Sequence, residues 1–225
     1  FSKMDCIRNG ASSGIKMAKA VGILGGTFDP IHNGHLRSAL EILEEFDLDH
    51  VRLVLSARPP HRDQPFASEE QRLEMLYLAV KNHSKIVVDD RELKREGPSY
   101  SVDTLKSLRD ELSDTTLYLI LGSDAFNHLS SWYEWQQLLK LSHIVVMQRP
   151  GEPLAVREDM KVWYEEHLGS AKHRALSSGK IWPVKLTQLN ISATFIRDDI
   201  SKGVSPIFLM PDPVMRLIEE QSLYQ

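Results

Sequence analysis

The sequence predicts an α/β fold: a Rossmann-like, doubly wound parallel sheet of five to six strands with helices on both faces. Three observations predict it. From Val21 onward, short apolar runs alternate with longer segments of helical period. The runs are β-branched or leucine-rich and nearly continuous, as in strands buried on both faces. A length of 225 residues suits one domain with a sizeable core rather than two equal ones. Alternating strand and helix then implies parallel strands joined by right-handed crossovers.

The strands read in order as "VGILGG" (21–26), "VRLVLS" (51–56), "KIVVDD" (85–90), "LYLILG" (117–122), "HIVVMQ" (143–148) and "KIWPVKL" (180–186). Helical period predicts helices over 35–46, 69–82, 102–112, 124–140 and 157–168. Ser68, followed three residues later by Gln71, has the spacing of a capping box that opens the second helix. The proline-bearing "RPGEPLAVREDM" reads as a loop. Asp212 and Pro213 form an N-cap and first-turn pair for a terminal helix that packs by Val214, Leu217 and Ile218. Residues 1–20 are polar and lack an apolar signal core, so they read as a mobile natural extension or cloning remnant. Residues 21–225 are then a single domain with a C-terminal helical subregion.

Composition narrows the functions. A formal net charge of −4 does not mark the whole surface for nucleic acid, although a local phosphate site is compatible with it. The single cysteine, Cys6, excludes an intramolecular disulfide framework and any multi-cysteine zinc site, and fits a reducing cytoplasm. No apolar run approaches the roughly 18–20 residues that span a bilayer.

The chemistry concentrates in "GGTFDPIHNGH", residues 25–35, directly after the first apolar run. In an open parallel sheet the first strand feeds the ligand crevice at the carboxyl ends of the strands. Gly25 and Gly26 permit a sharp turn and close approach to a ligand, Pro30 stiffens the loop, and Gly34 leaves room beside His32 and His35 at a helix start. The segment could be a metal site, a dinucleotide loop or a phosphate cradle. It lacks the G-x-G-x-x-G spacing of a dinucleotide fingerprint. As a metal site it lacks the third and fourth ligands that a two-histidine core needs. Asp29 tempts a metal assignment, but a carboxylate capping loop backbone is the better reading.

A second element, "ISATFIR" (191–197), follows the last apolar run and opens a helix ending near Gly203. Ser192 reads as its N-cap, Thr194 lies in the first turn, and Arg197 returns to the same face three residues later. Free N–H groups, two hydroxyls and a guanidinium at one helix N-terminus suit a polyphosphate. An ordinary capped helix with an exposed arginine would show the same pattern.

Together, "GGTFDPIHNGH" and "ISATFIR" resemble the paired signatures of the HxGH nucleotidyltransferase superfamily. Within it the chain is most similar to the bacterial nicotinate-nucleotide adenylyltransferases. The similarity continues through "RPPHR" (58–62), "QRLEML" (71–76), "GPSYSVDTL" (97–105), "LGSDAF" (121–126), "WYEW" (132–135), "HIVVMQRPG" (143–151) and "FLMPDPV" (208–214). Three positions depart from the family pattern: Ala193 stands for a second serine, Ser101 for a threonine and Arg62 for a lysine.

The resemblance implies transfer of AMP from ATP to nicotinate mononucleotide, giving deamido-NAD and pyrophosphate in NAD biosynthesis. It implies His32, His35 and Arg197 as the catalytic groups. Gly25, Gly26, Thr27, Phe28, Gly34, Gly122, Asp124, Ser192 and Thr194 would bind ATP. His61, Arg62, Ser101, Asp124, Trp132 and Tyr133 would bind the mononucleotide. Trp132 would stack on the pyridine ring while the Ser101 and Tyr133 N–H groups receive its carboxylate. From spacing alone, Trp132 and Trp135 read instead as a helix face packed into the core, and His61 and Arg62 as a solvated basic loop. Magnesium would arrive with ATP, held by phosphate oxygens and water rather than by a protein metal site. The expected partners are ATP and nicotinate mononucleotide, with no nucleic acid and no membrane, in a monomer or homo-oligomer. A related pantetheine-phosphate adenylyltransferase or cytidylyltransferase, or a non-catalytic nucleotide sensor, is the competing reading.

Overall fold

A computed structural model describes residues 19–58, 64–148, 154–173, 175–187 and 189–225. Strands β1 (Ala20–Gly26), β2 (His50–Leu55), β3 (Ile86–Asp89), β4 (Thr116–Gly122), β5 (His143–Gln148) and β6 (Ile181–Lys185) form one sheet in the order β3-β2-β1-β4-β5-β6. Every neighbouring pair is parallel. The winding of such a sheet reverses between β1 and β4, which creates a crevice at their carboxyl ends. Pro183, which cannot donate to a ladder, is tolerated because β6 is an edge strand.

The helices are α1 (Asn33–Glu45), α2 (Glu69–Val80), α3 (Ser101–Glu111), α4 (Ser123–Asn127), α5 (Leu138–Leu141), α6 (Lys161–His167), α7 (Ala193–Ser201) and α8 (Asp212–Glu220). The two-residue period of the strands divides the core between the sheet faces. Tyr118, Ile120 and Val145 join Ile42, Met75, Ile196 and Val214, so α1, α2, α7 and α8 cover one face. Leu117, Leu119, Ile144 and Val146 join Val102, Leu105, Phe126 and Leu138, so α3, α4 and α5 cover the other. Trp163 and Tyr164 of α6 pack against this second cluster.

The capping box of α2 forms as its spacing predicts, with the Gln71 N–H donating to Ser68 Oγ and the Ser68 N–H to Gln71 Oε1. The single helix expected over 124–140 does not form. The chain instead runs from α4 through 3₁₀ turns at 129–131 and 135–137 into α5. Leu129 and Leu138 are both fully buried, and nine residues of straight helix would put them on opposite faces. An extended Trp132 (φ −78°, ψ 146°) and a left-handed Glu134 (φ 48°) turn the chain so that both reach the core. The helix expected over 157–168 is likewise a 3₁₀ turn at 158–160 leading into the shorter α6. Asp212 lies inside the first turn of α8, whose N-cap is Pro211; Val214, Leu217 and Ile218 are the buried residues, as expected.

Candidate active site

The first loop leaves β1 at the switch point. A Cβ added to Gly25 would meet nothing within 4 Å, and the same holds at Gly122 on the adjacent β4. These two glycines therefore open onto the crevice. Gly26 and Gly34 are needed for a different reason, internal space. A Cβ at Gly26 would come within 2.9 Å of the Phe28 ring, and one at Gly34 within 2.9 Å of His32 Nδ1. Phe28 is left-handed (φ 49°) with its side chain buried, so only its backbone can face a ligand.

His32 and His35 stack face to face, their ring centroids 3.7 Å apart and their planes 24° from parallel. The Phe28 ring meets His35 edge-on at 5.1 Å. His32 is 5% exposed, and burial pulls its imidazole down to a pKa of about 4. It is therefore neutral near pH 7, which avoids placing two stacked imidazolium charges in contact. The His32 N–H points at His35 Nδ1 across a long 3.4 Å. A lone pair on Nδ1 turned to that N–H goes with a proton on Nε2, the tautomer that donates from Nε2. His32 Nδ1 itself is buried with no hydrogen-bond partner among the described residues.

The two signature segments, more than 150 positions apart, meet. Ser192 caps α7 by accepting from the Phe195 N–H at 3.1 Å. Arg197 donates from Nη1 to the Asp29 carbonyl at 2.7 Å, sits 4.6 Å over the Phe66 ring, and approaches Thr194 Oγ1 at 3.4 Å. The Asp29 carboxylate caps backbone, but that of the segment before α2 rather than of its own loop. It accepts from the Phe66 N–H at 2.8 Å and the Ala67 N–H at 3.1 Å.

The expected acceptor groups also assemble. Tyr100 and Tyr133 pack with ring centroids 4.7 Å apart, and Lys106 pairs with Glu134 at 2.9 Å. These contacts set the start of α3, where Ser101 is the first residue, beside Trp132 and Tyr133. Neither the Ser101 nor the Tyr133 N–H has a hydrogen-bond acceptor among the described residues. Trp132 is half-buried against the second core cluster, as is Trp135, so each ring serves packing. Asp124 is exposed in the first turn of α4, at the carboxyl end of β4. His61 and Arg62 lie outside the described residues. Arg58, just before them, is tied to the start of α3 by its N–H to Ser99 Oγ at 3.1 Å and by the Ser99 N–H to its carbonyl at 3.0 Å.

Three residues of the site were not singled out from the sequence. Arg72, 1% exposed, donates from Nη1 to the carbonyls of Thr27 and Ser56, both at 2.8 Å, and so joins the ends of β1 and β2. Burial pulls its guanidinium below the usual arginine range, with Asp29 the largest opposing influence. Asn33 anchors the start of α1, its N–H to Leu209 O and its Nδ2 to Phe208 O, both at 2.8 Å. Tyr224 donates to Asp29 Oδ1 at 2.7 Å. Arg72 lies within a matched motif but carries no local cue of burial, and nothing near Tyr224 in sequence points to a loop 195 positions away.

Residues 23–199 match the family described as cytidylyltransferase-like. The chain is 47% identical over 214 residues to the probable nicotinate-nucleotide adenylyltransferase of Pseudomonas fluorescens, covering 93% of this chain and 99% of that one. The chain belongs to the nicotinate-nucleotide adenylyltransferase family. It is also 40% identical over 215 residues to the probable nicotinate-nucleotide adenylyltransferase of Marinomonas sp., covering 94% and 97% of the two chains. A solved nicotinic acid mononucleotide adenylyltransferase of Plasmodium falciparum, complexed with NaAD, superposes with a TM-score of 0.69 at 20% identity, over 92% of this chain and 97% of that one. That likeness shows the shared adenylyltransferase fold. Among the described residues, no helix is long and apolar enough to cross a membrane.

Proposed function

We propose that this nucleotidyltransferase moves the adenylyl group of ATP to nicotinate mononucleotide, releasing pyrophosphate and forming nicotinate adenine dinucleotide. One observation carries the reading: the cap and arginine of α7 meet the His32–His35 loop at the switch point. The 5′-phosphate oxygen of the mononucleotide attacks the α-phosphorus of ATP, and the new O–P bond forms as the bond to the bridging oxygen breaks. The electron pair leaves with pyrophosphate. The nucleophile has lost its second proton by about pH 6, so no general base is needed. Catalysis rests on aligning two anions and stabilising charge on the leaving oxygens.

His35 donates to the phosphate at the reacting centre, held by its stack on neutral His32. Arg197, Thr194 and the capped start of α7 receive the β and γ phosphates. Gly25 and Gly122 leave the room that the nucleotide occupies, and Asp124 accepts a ribose hydroxyl. The Ser101 and Tyr133 N–H groups meet the pyridine carboxylate, which offers them acceptors, whereas a carboxamide would bring N–H donors against donors. Trp132 flanks the ring. The Asp29 carboxylate is already engaged by three donors. Magnesium would therefore be carried by phosphate oxygens and waters, and would supply neutralisation of charge on the triphosphate. The site needs soluble substrates only, which fits the cytoplasm.

Pyrophosphate release with ATP and Mg²⁺, offered nicotinate mononucleotide or its amide, tests the reading. Release with the acid should be the faster. Silence with both acceptors, or release only when CTP replaces ATP, would remove it; preference for the amide would overturn the carboxylate site.

A further inference from the structure

The first loop is held from outside itself, and one of its fastenings comes from the far end of the described chain. Tyr224 Oη donates to Asp29 Oδ1 at 2.7 Å, while the same carboxylate takes the Phe66 and Ala67 N–H groups and the Asp29 carbonyl takes Arg197. Tyr224 is in the left-handed region (φ 65°), which a bulky side chain adopts at a cost. Phe28 in the loop (φ 49°) and Phe208 (φ 68°), whose carbonyl holds Asn33, share that conformation. One left-handed residue inside the loop is thus met by two more, from two distant segments. The ring of Tyr224 packs against the core cluster that α1, α2, α7 and α8 share, and its hydroxyl is delivered to Asp29.

We propose that Tyr224 is a positioning residue for adenylyl transfer, acting through Asp29. Its hydroxyl fixes the Asp29 carboxylate, which keeps the 66–67 backbone and Phe66 in place beneath Arg197, while the Asp29 carbonyl aims the guanidinium. The inference rests on the adenylyl-transfer reading for its kinetic consequence and on geometry alone for its mechanical one. Tyr224→Phe keeps the packed ring and deletes only the hydroxyl.

The test pairs steady-state pyrophosphate release with amide exchange on the same purified proteins. Because a misplacement of about 1 Å can cost about 100-fold, Tyr224→Phe should lower kcat about tenfold. The KM for nicotinate mononucleotide should stay within about twofold, since the acceptor groups lie on α3 and the 132–133 turn. Exchange should rise at the Phe66 and Ala67 amides. Joined to Asp29→Asn, the substitution should add almost nothing, because both act through one carboxylate. A kcat near wild type, unchanged exchange at those two amides, or multiplied effects in the double variant would overturn the proposal. A Tyr224→Phe protein that does not fold would also overturn it, since the hydroxyl would then serve the whole fold. If the wild type releases no pyrophosphate, the adenylyl-transfer reading fails while the exchange measurement still decides the fastening.

Discussion

The two halves of the crevice are built differently. The half around residues 25–35 is fastened by side chains from α2, α7 and the segment after α8. The half around Ser101 and Trp132–Tyr133 is joined by contacts between α3 and one nearby turn, with Tyr133 half exposed. A group that must meet developing charge gains from being over-determined by remote contacts. A group that recognises one ring substituent can be set by a local turn. Substitutions in the first half should therefore strike turnover, and those in the second should strike recognition of the mononucleotide.

His35→Ala breaks the contrast most sharply. Loss of one donor to a transition-state oxyanion costs about 100- to 1,000-fold in kcat, with KM values little changed; a nearly normal kcat in the pyrophosphate assay would contradict the role. Arg197→Ala removes both the proposed phosphate contact and the tie to Asp29 O, and kcat/KM for ATP should fall about 100-fold. Arg197→Lys should recover little, because an ammonium lacks the planar fork. Full recovery by lysine would mean that charge alone matters.

The pH dependence of stability sharpens the account of His32. Its imidazole titrates near pH 4 when folded against an ordinary value of 6.5. Between those values the unfolded chain binds the extra proton, so stability present above pH 6.5 is lost as the pH falls toward 4. Burial lowers His143 and His50 in the same direction. In urea unfolding at pH 7 and 4.5, His32→Gln should lose less stability than wild type, by on the order of 2 kcal/mol; equal losses would mean that His32 is not held neutral. The smallest effect belongs to the acceptor half. Trp132→Ala should raise the KM for the mononucleotide about tenfold, the scale of one ring stack, and leave the KM for ATP nearly unchanged. The opposite pattern would move the acceptor site elsewhere.

The sheet was legible because each strand is a nearly continuous apolar run, and runs such as "LYLIL" and "IVV" (144–146) are buried on both faces. The geometry of the half around residues 25–35 and 191–197 was legible because its residues are unusual types at fixed spacing: glycines that face open space or a neighbouring ring, and a serine that caps a helix. The region 124–140 was misread because its apolar residues fit a helical count over short windows. The break depends on Leu129 and Leu138 sharing one core, a long-range fact. Asp29 showed its chemistry as a backbone cap but not its partners. Arg72 and Tyr224 were silent for the same reason, since their roles are created by packing and leave no local pattern.

The hydrogen bonds of the first loop give it a polarity of its own. The carbonyls of Gly26, Thr27, Asp29 and His32 accept, respectively, from the Ser56 N–H, Arg72, Arg197 and the N–H groups that begin α1. Each of these oxygens has surrendered lone-pair density to a donor supplied by the fold, two of them to guanidinium cations. A backbone segment that would ordinarily offer as much negative as positive edge is thereby biased toward its donors. The peptide N–H edge is left the more positive one, which is the polarity that the proposed phosphate contacts would use.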